Sequence, residues 1–150
     1  MEFKYSQKLE DESKLAKGMG VGLNMSFKHS VTVCDRIRNM ELSKAINLLE
    51  LVISKERAIP FKRFRTGVGH RRGDGKETIA KYPQKAASEI LKVLRNVEAN
   101  ADYKGLDTEK LKLTHVEAHK GARRRRIKPK GRWKLWRTEL VHIQAIAREN

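Results

Sequence analysis

The side chains best suited to chemistry in this chain are basic ones, and most of the net charge lies in two short segments. Residues 118–138 carry ten Lys and Arg and no Asp or Glu, and residues 62–76 carry six Lys and Arg against one Asp. The two segments hold +15 of the formal net charge of +16, so the remaining 114 residues are nearly neutral. Because like charges repel one another, this segregation indicates a polyanionic partner and not a requirement of the fold. The segments lack the apolar stripe of a membrane-surface helix, which favours nucleic acid.

The larger segment combines arginine with tryptophan. Arg123–Arg126 are consecutive, and on a β-ribbon alternate residues face opposite sides, so they would present cations on both faces. The rings of Trp133 and Trp136 can stack on unpaired bases, which favours folded RNA over plain duplex. Two alternatives remain: the tryptophans pack the ribbon locally, or the arginine run is only a targeting signal. The predicted RNA-binding residues are Lys62, Arg63, Arg65, His70, Arg71, Arg72, Lys120, Arg123, Arg124, Arg125, Arg126, Lys128, Lys130, Arg132, Trp133, Lys134, Trp136 and Arg137.

Other kinds of chemistry have weak support. The single cysteine, Cys34, excludes an internal disulfide, and the chain has no CxxC pair and no HxxxH on a predicted helix, so we expect no metal and no cofactor. A catalytic set could be drawn from His70, Asp74 and Asp35, or from Ser30 nearby, but no nucleophile motif or carboxylate pair accompanies it. The glycines from Gly18 onward lack the neighbours of a nucleotide-binding loop. We therefore expect a protein that is not an enzyme.

Composition predicts one compact domain over residues 1–150. No apolar run approaches the roughly 20 residues that a membrane span needs, and the start MEFKYSQKLEDESK has no apolar stretch of a signal peptide. Residues 1–14 are a polar arm, and residues 60–81 read as a basic, Gly-rich loop. A loop of this length inside a compact domain usually has a function.

Hydrophobic spacing predicts three helices. The first runs from a cap at Ser26 to about Asn39, and the second covers about residues 42–57, stopped by Ile59-Pro60. The third begins after Tyr82, with Pro83 at its first helical position. Its buried stripe comprises Ala87, Ile90, Leu91, Leu94, Val97 and Ala101, and Gly105 is its C-terminal cap.

Alternating apolar residues predict the strands. A short strand contains Gly18, Gly20 and Gly22, with something packed closely on its glycine face. Two more strands lie within residues 111–118 and 141–147, on either side of the basic segment. About twenty residues separate their apolar parts, so the strands continue as a paired ribbon of the order of 30 Å. Such a ribbon is marginally stable in water and needs a surface to lie against.

In their order and spacing, several stretches resemble the large-subunit ribosomal protein family L twenty-two, in its archaeal and eukaryotic branch. These stretches are LNMSFKHSVTVCDRIRNMELSKAINLLE, VGHRRG, YPQKAASEILKVLRNVEANADYKGLD, AHKG before the basic hairpin, and VHIQAI. The resemblance covers about residues 15–147, and the short C-terminus favours the archaeal form. It implies an α+β fold, with three helices packed on a small antiparallel sheet and a long protruding basic β-hairpin over residues 111–147.

The resemblance also implies a function. Members of the family are structural constituents of the large ribosomal subunit, bind its rRNA in the cytoplasm, and extend the hairpin along the wall of the nascent-peptide exit tunnel. The expected partners are large-subunit rRNA, neighbouring ribosomal proteins and the nascent peptide, without membrane insertion. By this analogy the tip lies at about residues 123–133. The usual tip resembles RxxPRAxGRA, whereas RRIKPKGRW keeps Pro129, Gly131 and Arg132 with a shorter interval and without the alanines. Individual tunnel contacts are therefore not carried over.

Two other classes of function compete with this one. A free-standing DNA-binding or chromatin protein would place the hairpin in a groove of the duplex, as minor-groove architectural proteins do. An RNA-processing enzyme would need an acid–base constellation, which the sequence lacks. Arginines on both faces of the ribbon, interleaved with tryptophan, favour a crevice in folded RNA over either alternative.

Overall fold

The computed structural model describes residues 4–7, 12–71, 79–127 and 135–149. Within these residues, three helices pack on one face of a three-stranded antiparallel sheet, which confirms the α+β class. Ile59–Pro60 and Ala80–Lys81 form a second, two-stranded sheet. The elements are β1 (Leu15–Leu23), α1 (Phe27–Ile37), α2 (Leu42–Ile53), β2 (Ile59–Pro60), β3 (Ala80–Lys81), α3 (Gln84–Tyr103), β4 (Leu111–Ile127) and β5 (Leu135–Glu149).

The central strand of the sheet is β5, which separates β1 from β4. Both pairings are antiparallel, from Leu15 opposite Arg148 at one edge and from Leu111 opposite Glu149 at the other. Alternate residues of β5, namely Val141, Ile143, Ala145 and Ala147, belong to the core beneath the helices. Leu111, Leu113 and Val116 of β4 lie in the same core. The alternation predicted for β4 and β5 is therefore confirmed, and each of these two strands extends well beyond its apolar part.

The glycine face of β1 lies directly against α3, as predicted. A Cβ atom added to Gly18 would be 2.5 Å from Val97 Cγ2, and one added to Gly20 would be 2.7 Å from Val93 Cγ2. Real Cβ atoms do not approach this closely, so the absence of side chains here lets the strand and helix backbones come together. Gly18 and Gly20 therefore act as a packing device, whereas a Cβ atom at Gly22, which has φ +68°, would meet nothing within 4 Å.

The helices differ from their predicted bounds mainly at their ends. Ser26 occupies the N-cap position of α1 but makes no side-chain capping bond, and α1 ends at Ile37, before Asn39 with φ +63°. From the sequence, α2 was predicted to run to about residue 57. It ends at Ile53 instead, because Lys55 adopts a left-handed conformation with φ +68°. Instead of merely stopping α2, Ile59-Pro60 forms β2, which closes the base of the loop against β3.

The third helix follows its predicted stripe closely. All six predicted core residues of α3 are buried. Pro83 lies at the N-cap, one residue before the predicted position. Gly105 has φ +71°, a conformation that favours glycine and ends the helix as predicted. Two short 3-10 turns, Glu12–Lys14 and Thr108–Lys110, precede β1 and β4.

The opposite face of the sheet carries the N-terminal residues 4–7. The Ser6 amide donates to Gln144 Oε1 at 2.9 Å, and Gln144 Nε2 donates to the Lys4 carbonyl at 2.9 Å. Ser6 Oγ lies 3.0 Å from His115 Nε2. His115 and Gln144 are buried on this face, so the sheet is covered on both sides near its middle.

We expect His115 to make the stability of the fold depend on pH. Burial lowers its pKa; Arg38 and His119 lower it as well, while Glu117 acts in the opposite direction. A histidine whose folded-state pKa is depressed contributes stability above its unfolded pKa and loses it as pH falls through the folded value. We therefore expect the free energy of unfolding, measured in urea, to fall between about pH 7 and about pH 5.

The variant His115→Gln tests this dependence, because it keeps a hydrogen-bonding side chain and removes the titration. We expect it to flatten part of the pH slope. His29, whose pKa burial also lowers, accounts for a further part. Asn47→Gln, which changes an exposed side chain that does not titrate, is the control and should keep the slope of the parent. An unchanged slope in His115→Gln would contradict the role of this histidine.

Candidate nucleic-acid interface

The pairing of β4 with β5 continues into the basic segment, so the hairpin arm is a paired ribbon. Ile127 lies opposite Leu135. Directly opposite residues share a face of the ribbon, and successive residues alternate between the faces. One face carries Arg123, Arg125, Arg137 and Glu139, and the other carries Arg124, Arg126, Trp136 and Thr138.

The ribbon concentrates like charge at close range. Arg125 and Arg137 are directly opposite each other, an arrangement that destabilises an isolated hairpin. Glu139 offsets part of the charge, with its Oε1 3.6 Å from Arg123 Nε. All four arginines from Arg123 to Arg126 are exposed. A polyanion in contact with both faces would remove this repulsion.

A β-bulge separates the ribbon from the sheet. The register shifts between Lys120, opposite Val141, and Arg123, opposite Glu139, which leaves one extra residue in β4. A Cβ atom at Gly121 would lie 2.8 Å from His142 Nε2 and 3.0 Å from the Leu140 carbonyl oxygen, so the bulge is close-packed. Bulges bend a strand and increase its twist. The arginine-bearing part is thereby turned relative to the core sheet.

Aromatic rings support several cations on the body of the protein, by which we mean the three helices, the core sheet and the loop over residues 60–81. Lys28 Nζ lies 5.5 Å from the centroid of the Phe64 ring, and the Arg71 guanidinium lies 5.4 Å from that of Tyr82. Lys81 and Lys120 lie similarly over Phe61 and Phe27 at 5.9 and 5.0 Å. Cation–π attraction of this kind holds the charges in place without neutralising them. Except for Arg71 and Lys120, these cations were not predicted from the sequence.

Side chains of helix α1 lie beside both the loop and the hairpin. Arg38 Nη2 donates to the Val116 carbonyl of β4 at 3.1 Å, and its guanidinium lies 3.4 Å from Asp35 Oδ1. A cavity of about 260 Å³ beside it is lined by Arg36, Arg38, Lys62 and Arg63 together with Thr32, Asp35, Met40 and Pro60. Arg63 also borders a second cavity with Glu117 and His119 of β4. Sequence reasoning missed Arg36 and Arg38 because it placed α1 only by its apolar stripe.

Those predicted residues that the structure describes lie in two places, the loop and the hairpin. Lys62, Arg63, Arg65, His70 and Arg71 are exposed in the loop, where Arg65 Nε donates to the Lys62 carbonyl at 3.0 Å. Arg126, Trp136 and Arg137 instead line a different groove, beside Asn24 and Lys85. Lys120, Arg123, Arg124 and Arg125 lie on β4. Six predicted residues lie outside the described part of the chain: Arg72, Lys128, Lys130, Arg132, Trp133 and Lys134.

Of the residues considered for catalysis or metal binding, Cys34 and Ser30 are buried, His70 and Asp35 are exposed, and Asp74 lies outside the described residues. Burial raises the pKa of the Cys34 thiol to about 12, so the thiol stays protonated at neutral pH. Ser30 Oγ is buried and donates to the Ser26 carbonyl at 2.9 Å. Among the described residues, no cluster of three or more His, Cys, Asp or Glu is arranged to hold a metal. In the same part of the chain, no helix combines the length and apolar character needed to cross a membrane.

Comparison with known proteins identifies close relatives of the whole chain. Residues 19–148 match the family described as Ribosomal protein L22p/L17e. The protein named Large ribosomal subunit protein uL22 from Archaeoglobus fulgidus is 52% identical over 145 residues, which cover 95% of this chain and 94% of the relative. Proteins of the same name from Methanosphaera stadtmanae and Staphylothermus marinus are 45% and 41% identical, each covering 97% of this chain and 96% of the relative.

Proposed function

Because the chain belongs to the Ribosomal protein L22p/L17e family, it is a structural protein of the large ribosomal subunit, and we propose that it binds and organises large-subunit rRNA. The observation that carries this proposal is the paired ribbon with arginines on both faces. A flat duplex surface would use one face, whereas a crevice between RNA segments uses both. The protein acts within the ribosome, in the cytoplasm, as a binding protein and not as an enzyme.

The body and the hairpin have different tasks in this proposal. The body holds the hairpin rigidly, since β4 and β5 are also strands of the core sheet. The hairpin inserts between RNA segments, while Lys62, Arg63 and Arg71 of the loop contact phosphates. Arg38 and Lys28 extend this phosphate contact along α1. Binding at both places would hold together RNA segments that are distant in sequence.

By analogy with the family, we place the tip of the hairpin along the wall of the nascent-peptide exit tunnel. The nascent peptide and neighbouring ribosomal proteins would then be further partners. The extended, two-stranded form suits this position, because a ribbon can pass through a gap that a helical domain could not enter. The marginal stability of a free ribbon is consistent with its acquiring support from surrounding RNA.

The proposal is tested by measuring whether the protein co-sediments with the large subunit and which rRNA segments it contacts. We expect it to co-sediment with the large subunit, and crosslinks from Arg124 and from Arg63 positions to map to different rRNA segments. Binding to large-subunit rRNA should exceed binding to duplex DNA at matched salt, since affinities compared at different salt have no meaning. Equal affinity for duplex DNA would favour the chromatin alternative. Crosslinks confined to one short rRNA segment would contradict the organising role.

A further inference from the structure

We propose that the groove between the base of the hairpin arm and the body binds one unpaired nucleobase of the RNA, stacked on Trp136. The inference rests on the proposed function and deepens it by naming a site and a ligand class. The groove has a cavity of about 330 Å³ and is open to solvent. Its lining comprises Arg126, Trp136, Arg137, Thr138 and Glu139 from the hairpin with Asn24, Met25, Ser26 and Lys85 from the body.

The path of β1 creates the groove. Leu23 of β1 lies opposite Val141, and the chain then leaves the sheet towards α1. From Leu140 towards the tip, β5 has no partner strand on that side among the described residues. The space beside this open edge is bounded by the 24–26 connection and by the first turn of α3. It is of the size of a small-ligand site, since such sites begin at about 300 Å³.

Trp136 is the aromatic element of the site. Its exposed fraction is 57%, an unusual position for so large an apolar side chain in a folded protein. The ring makes no aromatic or cation–π contact with another described residue. A stacked base would cover this exposed ring, and stacking tolerates any base because each has a π-face.

The charges around the ring favour a nucleotide over a peptide or an apolar ligand. Arg126 is directly opposite Trp136 in the ribbon, and Arg137 follows it. Lys85 approaches from the body, and none of these three cations forms an ion pair with another described residue. The one carboxylate in the lining, Glu139, is already beside Arg123 at 3.6 Å. Phosphates on either side of a stacked base would meet these cations.

Polar groups in the 24–26 connection are available to the edge of a base. Asn24 and Ser26 are exposed, and the Ser26 hydroxyl makes no capping bond to α1. An amide and a hydroxyl can each donate to or accept from a base. The groove thus offers a ring to stack on, cations for phosphates and neutral polar groups, which together fit a nucleotide of single-stranded RNA.

The test uses the fluorescence of Trp136 in the whole chain. The chain has two tryptophans, so Trp133→Phe leaves Trp136 as the single reporter. The probes are an oligoadenylate of about eight nucleotides and an abasic ribose–phosphate oligomer of the same length, a size typical for single-strand sites. At equal occupancy, we expect the oligoadenylate to quench the fluorescence and the abasic oligomer to leave it unchanged.

A second measurement compares affinities. Trp136→Leu should weaken oligoadenylate binding by about 5- to 150-fold, the equivalent of one stacked base, and should change abasic binding by less than about twofold. Trp136→Tyr keeps a ring and should restore most of the affinity. Lys85→Gln should weaken both probes by a similar factor, because it acts on phosphate.

Equal quenching by both oligomers, or an equal loss of both affinities in Trp136→Leu, would overturn the base site. So would quenching by an uncharged peptide to the same extent. If large-subunit rRNA binds in a salt-dependent manner while either of these results is obtained, the inference fails and the proposed function stands. If the protein does not bind large-subunit rRNA at all, the proposed function itself fails.

Discussion

Replacing Arg123, Arg124, Arg125 and Arg126 together by glutamine lowers the affinity for large-subunit rRNA by about 10³-fold at about 0.1 M salt. The reason is counterion release, since each phosphate contact contributes about 0.7 to 0.9 to the slope of log affinity against log salt. Removing four contacts lowers this slope by about 3. For each tenfold decrease in salt, the variant therefore gains about 10³-fold less affinity than the parent. Filter binding over a salt series measures the slope and the affinity together.

Two control variants distinguish the charge of these four residues from the shape of the arginine side chain and from the net charge of the protein. Replacing the same four arginines by lysine keeps the charge and should keep the salt slope. Replacing Lys44, Lys55, Lys92 and Arg95 by glutamine removes the same charge from the exposed surfaces of α2, α3 and the turn between α2 and β2. This second variant should bind within a few-fold of the parent. A similar loss from both sets would mean that net charge, and not the ribbon, determines binding.

Gly18→Ala destabilises the folded protein by about 1–3 kcal/mol, the usual effect of overpacking a core. The new methyl group would lie 2.5 Å from Val97 Cγ2 and 3.2 Å from the Val93 carbonyl oxygen. Val97 is fully buried and its β-branched side chain has one preferred rotamer in a helix, so it cannot simply turn away. Relief therefore requires β1 and α3 to separate. Urea unfolding at fixed pH measures the loss.

A double-mutant cycle identifies the cause of this loss. Val97→Ala removes the side chain that meets the new methyl group, so the double variant should be more stable than the sum of the two single effects predicts. We expect a coupling of about 0.5–3 kcal/mol, as found for residues in contact. Gly69→Ala is the matched control, since a Cβ atom there meets nothing within 4 Å. Additive effects in the cycle would show that the contact is not the cause.

The sequence predicted the hairpin because its signal is local. Two runs of alternating apolar residues enclose a segment without acidic residues, and a paired ribbon is the simplest way to connect them. The glycine alternation likewise predicted a close approach, although not that α3 makes it. Helix ends were less well predicted. Lys55 and Asn39 take left-handed conformations that apolar spacing does not reveal, and these conformations end α2 and α1.

The candidate interface was predicted only as far as its charges lie close together in sequence. Arg38 is an isolated cation on α1 and becomes part of the interface only because α1 packs between the loop and β4. Lys85 and Asn24 reach the base of the hairpin because β1 and α3 start or end beside it. These are tertiary relations. They depend on the order of strands in the sheet, which no periodicity in a single segment specifies.

The position of β5 has a consequence for the way the chain is made. β1 and β4 do not pair with each other, and each is joined to the sheet only through β5, which follows both in the chain. As synthesis proceeds from the N-terminus, both strands remain unpaired until β5 has been synthesised. The core sheet and the hairpin then form in the same late step. The nascent protein therefore gains its rigid scaffold and its basic hairpin together, after a period in which its basic strand is open to any polyanion nearby.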